Sequence, residues 1–163
     1  MDKTSANFKG SLSPKPKVLV SCKGTDGREN ALAVAYCCNC SYDPPMVMVG
    51  IVPSRFSYKL IKESGCFVVN LCGSRNKELF DYMGKTSGRD EDKFKVSGAA
   101  KSGGIKVDAP LLDDCPVNIE CTIVDSIMTG SHEMFVGKIE HVHANEGLVN
   151  ENGDIDFGAL ELL

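Results

Sequence analysis

The chain contains 163 residues with a mass of 17.5 kDa, a length that predicts one domain with a substantial core. A net charge of −4 and a pI near 5.4 argue against nucleic-acid binding, which normally uses a basic surface. No apolar run approaches the length of a membrane span and residues 1–17 are polar, so we predict neither a membrane anchor nor a signal peptide.

The amino-terminal segment and the cysteines set two further expectations. Residues 1–15 are predicted to form a flexible arm, and residues 16–163 form the predicted folded domain. Without a signal peptide, the eight cysteines are interpreted as reduced thiols rather than as a disulfide framework. The sequence therefore predicts a cytoplasmic protein.

Strands dominate the first third of the chain. Residues 17–22 form an apolar run and are predicted to be the first strand, followed by Asp26-Gly27, a strong hairpin signal. Residues 30–40 are predicted to form a single, mostly buried second strand. Pro44-Pro45 ends it, and residues 46–52 are predicted to be a third strand.

Two short helices interrupt the strands. Phe56, Leu60 and Ile61 recur at helical spacing, which predicts a helix over residues 56–63. The other predicted elements are a strand at 66–72, a second helix at 76–83 ending at Gly84, a loop-rich region at 95–109, and long strands at 117–127 and 133–144. Many strands and two short helices predict a mainly β fold, a barrel or sandwich rather than a doubly wound sheet.

An anion site is indicated by the segment of residues 87–94. It places the Ser87 hydroxyl, the Arg89 guanidinium and the Lys93 ammonium close together, with the flexible Gly88 between them. Hydroxyls, cations and backbone N–H groups in a turn are the donors that bind a phosphate. The alternative is an ordinary solvated turn, because three acidic residues occupy the same segment.

Three cysteines close together leave two alternatives open. Cys37 and Cys40 form a Cys-x-x-Cys motif, but thiol redox chemistry needs the first cysteine at a helix N-terminus, and this motif lies on a predicted strand. Cys37 and Cys40 would also point to opposite faces of that strand. Cys38 and Cys40 share a face, so a thiolate metal site stays possible.

The histidines differ in their predicted surroundings. His141 and His143 share one face of a predicted strand and are interpreted as a solvated pair. His132 lies at the entrance of that strand, where a side chain can reach into a cleft. The alternative for His132 is a turn histidine without a specific role.

Eight elements carry a resemblance to a known family: PKVLVS at 16–21 with DG at 26–27, Asn30 at the head of a strand of small residues, PP at 44–45, SRFS at 54–57, LIKESGCFVVN at 60–70, SG at 87–88 with DKF at 92–94, APLL at 109–112 before IEC at 119–121, and GSH at 130–132 before FVG at 135–137. In this order, the chain from residue 16 to residue 147 resembles the flavin reductase-like, FMN-binding split-barrel proteins, and among them the flavoredoxins and an archaeal ferric reductase. That resemblance implies a mainly β fold with short helices, specifically a six-stranded Greek-key split β-barrel. It further implies a homodimer with one FMN per subunit near the interface.

The resemblance also implies a set of FMN-binding residues. The strand that faces the flavin ring would contribute Asn30, Ala31, Val34, Ala35, Tyr36 and Cys37. The phosphate or ribityl chain would be held by Ser54, Arg55, Ser57 and Ser87. Family members often carry a tryptophan in the ring-facing strand, and Tyr36 is the nearest aromatic residue here. Lys93 would reach the phosphate or the polar edge of the ring, His132 would close the pocket, and Phe157 is a candidate for covering the flavin.

Three functions are compatible with these residues. The leading hypothesis is an oxidoreductase that passes electrons from NAD(P)H through FMN to free flavin, ferric iron or another small acceptor. The flavin carries the chemistry, so no catalytic side chain is assigned. The second hypothesis is a flavoredoxin-like carrier that takes electrons from a redox protein. The third is a metal-binding module that uses Cys37, Cys38, Cys40 and a histidine.

Overall fold

The computed structural model describes residues 1–7 and 12–163. Residues 8–11 of the predicted flexible arm lie outside the described residues, so the arm stays a prediction, as does the domain boundary at residue 16. No helix in the described ranges combines the length and the apolar character that crossing a membrane would require.

The strands of the described chain form one large sheet and one small one. They are β1 (Val18–Lys23), β2 (Glu29–Val34), β3 (Tyr36–Tyr42), β4 (Pro45–Ile51), β5 (Cys66–Leu71), β6 (Lys101–Gly103), β7 (Pro110–Leu112), β8 (Val117–Thr129) and β9 (His132–Ala144). The large sheet is antiparallel and has the order β2-β1-β5-β8-β9-β4-β3, while β6 pairs with β7. The predicted mainly β fold with short helices is confirmed.

The predicted second strand is two strands. β2 pairs with β1, whereas β3 pairs with β4, and only Ala35 separates β2 from β3. The two halves therefore lie at opposite ends of the sheet order, and the sheet has seven strands rather than six. The apolar pattern could not show this break, because both halves are strand-like and the change of pairing partner is a tertiary event.

The large sheet curves around one core. Val34 of β2 and Val49 of β4 belong to the same buried cluster, although β1, β5, β8 and β9 lie between their strands in the sheet order. Leu60 and Ile61 add the buried face of a helix to this cluster. The sheet must bend strongly to bring its outer strands to a shared core.

Three α-helices cover the described sheet: α1 (Phe56–Ser64), α2 (Lys77–Lys85) and α3 (Lys93–Ser97). The first two agree with the predicted helices to within two residues at each end. The third was not predicted, since its sequence was interpreted as a turn and a loop. Asp92 caps α3 by accepting a hydrogen bond from the Lys95 N–H, and Gly98 ends it with a φ of 68°.

The interpretation of His141 and His143 as a solvated pair is wrong for His143. The Nε2 atom of His143 lies 2.6 Å from a carboxylate oxygen of Glu120, whose side chain is fully buried. That carboxylate also accepts hydrogen bonds from three consecutive backbone N–H groups, those of Ile105, Lys106 and Val107. Burial raises the pKa of Glu120, but these hydrogen bonds outweigh it and hold the pKa at about 2.

The third hypothesis, a cysteine metal site, gains no support. Cys38 and Cys40 are exposed, and the pairing of β3 with β4 shifts register between Asn39 and Ser41, beside Cys40. Within residues 1–7 and 12–163, no group of three or more His, Cys, Asp or Glu side chains is arranged to hold a metal ion.

Candidate functional site

A cavity of about 360 Å³ lies at the start of α1, and positively charged side chains and hydroxyl groups line much of it. No Asp or Glu side chain is among its lining residues, although the chain as a whole is acidic. Its cations are Arg55, Lys85, Arg89 and Lys93, and its hydroxyls are Ser54, Ser57, Thr86 and Ser87. We call these eight residues the anion pocket, because their donor set suits a multiply charged anion.

The start of α1 contributes backbone donors to the anion pocket. Arg55 is the N-cap residue, and its side chain makes no capping hydrogen bond. The first turn of α1 also contains no acidic residue. An anion placed at this helix end would therefore meet open N–H groups and the positive end of the helix dipole.

Lys93 is buried at the inner wall of the anion pocket. Its Nζ atom donates hydrogen bonds to the carbonyl oxygens of Met83, at 2.8 Å, and of Thr86, at 3.1 Å. An ammonium has three donors, so one remains for the pocket. Burial, and to a lesser extent the Arg55 guanidinium, lowers the pKa of Lys93 to about 8. An anion bound nearby would favour the charged form again.

The floor of the anion pocket is closely packed. The amide of Asn30 donates a hydrogen bond of 2.7 Å to the Ser57 hydroxyl, and both side chains are buried. Gly88 packs tightly beside them. A Cβ atom on Gly88 would lie 2.5 Å from Phe56 Cδ1 and 2.7 Å from Asn30 Oδ1, closer than van der Waals contact allows.

Replacing Gly88 by alanine is expected to destabilise this floor. The added methyl group must displace Phe56 or Asn30, which should lower the free energy of unfolding by about 1–3 kcal/mol. Urea denaturation measures the loss. Gly103→Ala is the matched control, because its Cβ would meet no atom within 4 Å. Equal stability of the two variants would contradict the close packing at Gly88.

Two further cavities continue from the anion pocket along β2 and β3. The middle cavity, about 600 Å³, shares Ala33 with the anion-pocket cavity and shares Ala35 and Lys15 with the next one. That last cavity, about 640 Å³, also includes Tyr36 and His132, and we call it the ring-end cavity. We call the three cavities together the trough, since each shares lining residues with the next.

Aromatic rings form one wall of the ring-end cavity. The rings of Tyr36 and His132 meet edge to face, with centroids 4.9 Å apart and an interplanar angle of 83°. The Ser131 hydroxyl lies 2.8 Å from Nδ1 of His132 and orients the imidazole. This wall offers an apolar face with polar groups at its rim.

The structure distributes the predicted site residues along this trough. Around the cavity of the anion pocket it brings together Asn30, Ser54, Arg55, Ser57, Ser87 and Lys93. Around the ring-end cavity it brings together Ala35, Tyr36, Cys37 and His132, while Val34 lines the middle cavity.

Two predicted residues lie elsewhere. Ala31 is fully buried, packs in a core cluster with Leu19 and Met83, and lines none of the three cavities. Phe157 is 54% exposed and lines none of the three cavities. Leu163 lines the middle cavity instead.

Sequence reasoning also missed Leu32, Ala33 and Lys15, all of which line the trough. Residues 30–37 are almost all apolar or small, so their alternation does not show which face is buried. Lys15 was assigned to a flexible arm. Nothing in the sequence around Lys15 predicts that its side chain lies over the ring of Tyr36 in β3.

Most of the chain matches the model of a known family. Residues 10–158 match the model of the flavin reductase-like domain. The chain belongs to the flavin reductase-like domain family. This membership implies a flavin cofactor, and the donor set of the anion pocket is compatible with the phosphate of a flavin nucleotide.

The relatives of this flavin reductase-like protein include a protein of known structure and two proteins that are similar in sequence. The solved structure of flavoredoxin from Desulfovibrio vulgaris (Miyazaki F) has a TM-score of 0.89 and is 30% identical, covering 96% of this chain and 84% of that chain. The FMN reductase (NADH) RutF of Agrobacterium fabrum is 27% identical over 79% of this chain and 71% of its own. A protein of Aeropyrum pernix is 30% identical over 72% of this chain. The matched part covers 45% of the length of that relative.

Proposed function

We propose that this protein binds FMN along the trough, with the phosphate in the anion pocket and the ring towards Tyr36 and His132. The observation that supports this most strongly is a cavity lined by four cations and four hydroxyl residues and by no acidic side chain, in an acidic protein. A cationic ligand would be repelled by it, and a neutral ligand would gain less from it than an anion does. The dianionic phosphate of FMN matches it in charge and donor requirement.

Each part of the trough has a separate task in this proposal. Arg55, Arg89 and Lys93 neutralise the phosphate, and the start of α1 adds its open N–H groups. Ala33 and Ala35 leave room for a flat ring system above the strand. Tyr36 and His132 limit the access of water at the far end.

We propose that the protein is an oxidoreductase that accepts electrons from NAD(P)H and passes them to free flavin, ferric iron or another small acceptor. When bound, FMN supplies the two-electron transfer. The 30% identity to flavoredoxin favours a second candidate function, an electron carrier that accepts electrons from a redox protein.

We also propose the finer features of the fold and assembly. If β2 and β3 count as one strand bent at Ala35, the large sheet has the six strands of a Greek-key split barrel.

The exposed apolar residues Val124, Ile127 and Met128 of β8 support a homodimer. Analytical ultracentrifugation tests this, and a monomer at micromolar concentration would contradict it. The eight free thiols support a cytoplasmic location.

Two titrations test the cofactor and the function. FMN fluorescence should be quenched on binding, and FMN should bind at least a hundredfold more tightly than riboflavin, which lacks the phosphate. Equal affinities would contradict the role of the anion pocket.

Anaerobic addition of NADH and then NADPH to the FMN complex separates the two functions. Rapid bleaching of the flavin absorbance supports the reductase, whereas no bleaching supports the carrier.

The affinity for FMN should also depend on pH through Lys93. The pKa of Lys93 is about 8 without the anion, and a bound phosphate raises it, so binding requires protonated Lys93. We expect the affinity to be constant between pH 7 and 8 and to weaken by up to tenfold per pH unit above 8. Fluorescence titrations up to pH 9.5 measure this. Lys93→Met should bind more weakly at every pH and show no such decline, and a decline that persists in this variant would contradict the assignment.

A further inference from the structure

Lys15 lies where two cavities of the trough meet. Together with Ala35 it lines both the middle cavity and the ring-end cavity, and its side chain is half-buried. Its Nζ atom lies 5.0 Å from the centroid of the Tyr36 ring, within the range of a cation–π contact. The contact with Tyr36 brings the ammonium of Lys15 to the ring end of the trough.

The charge of Lys15 is not balanced by an acidic side chain. Within residues 1–7 and 12–163, Lys15 forms no ion pair, in contrast to Lys23, Lys62 and Lys138. No Asp or Glu side chain lines the middle cavity or the ring-end cavity. A half-buried cation without a counter-ion stabilises any negative charge that develops beside it.

We propose that Lys15 stabilises reduced FMN relative to oxidised FMN. This inference rests on the proposed function. Two-electron reduction adds two electrons and one proton to the flavin ring and leaves one negative charge on it, which a nearby cation stabilises. Lys93 does not serve this purpose, since its ammonium is held in the anion pocket by the carbonyl groups of Met83 and Thr86. Lys15 is the cation at the other end of the trough.

The test is a measurement of the flavin potential in Lys15 variants. The FMN complex is titrated anaerobically with dithionite beside a reference dye. In Lys15→Met, the affinity for reduced FMN relative to oxidised FMN should fall about tenfold, which corresponds to a two-electron potential about 30 mV lower. Lys15→Arg keeps the charge and should stay within about threefold of the wild type. The affinity for oxidised FMN should change less than about threefold in both variants.

Lys101→Met is the matched control. Lys101 also lies over an aromatic ring, 5.2 Å from the centroid of Phe94, but it lines none of the three trough cavities. Its removal should leave the potential unchanged. Circular dichroism checks the fold of each variant, and Lys15→Gln replaces Lys15→Met if the latter does not fold.

The outcomes separate the two proposals. If the wild-type protein does not bind FMN, the proposed function fails. If it binds FMN and removal of the Lys15 charge leaves the potential at the wild-type value, the role of Lys15 is overturned. A potential that shifts equally in Lys15→Met and Lys15→Arg also overturns it, since the effect would then come from altered packing on Tyr36.

Discussion

Replacing both Arg55 and Arg89 by alanine is expected to weaken FMN binding by about a hundredfold. Each guanidinium lines the anion pocket, and a charge-assisted hydrogen bond to phosphate contributes about 1.5–3 kcal/mol. Because both side chains are exposed, the lower end of that range applies to each. Fluorescence titration with FMN measures the loss.

Riboflavin provides the internal comparison for the Arg55 and Arg89 variant. It has the same ring but no phosphate, so its affinity should change less than about threefold. Arg75→Ala is the control for a lost surface charge, since Arg75 is exposed and lines no part of the trough. A parallel loss of affinity for FMN and riboflavin would show that the two arginines do not bind the phosphate.

The second large effect is expected at Glu120. Each of its two oxygens accepts two hydrogen bonds, one pair from Ile105 and His143 and the other from Lys106 and Val107. In Glu120→Gln, either orientation of the amide places its NH₂ group against N–H donors in a fully buried site. We expect the free energy of unfolding to fall by about 3 kcal/mol, measured by urea denaturation.

The stability contributed by Glu120 should also depend on pH. The pKa of Glu120 is about 2 in the folded protein and 4.5 for an unperturbed glutamate. The unfolded chain therefore binds the proton more readily, and the stability is fully present above pH 4.5 and is lost as the pH falls towards 2. Glu140→Gln is the control, because Glu140 is only partly buried and pairs with Lys138. A loss of stability in Glu120→Gln no larger than in this control would contradict the prediction.

Much of the fold could be predicted from the sequence because local signals agree with it. The run of residues 66–72, the helical spacing of Phe56 and Leu60, and the Gly65 helix end all correspond to elements of the structure. The break at Ala35 and the helix α3 could not be predicted in the same way. The first depends on which strands meet in space, and the second is a short helix preceded by three acidic residues that also suit a loop.

The candidate site could also be predicted only in part from the sequence. The half of the anion pocket around Ser87 and Lys93 was predicted because hydroxyls and cations in a turn indicate anion binding by their chemistry. The half at residues 54–57 was predicted only through the resemblance to the family. Ala31 and Leu32 could not be assigned to the buried and open sides, since both are apolar. The pairing of His143 with Glu120 links two strands, and neither residue signals the other in sequence.

The single residue between β2 and β3 has a consequence for cooperativity. Because Ala35 joins the two ends of the sheet order covalently, a one-residue register slip of β2 against β1 would pull β3 out of register with β4. Neither outer strand can then fray independently of the other. Native-state hydrogen exchange should show the amides of both outer strands opening together, as one cooperative unit that includes both edges of the sheet.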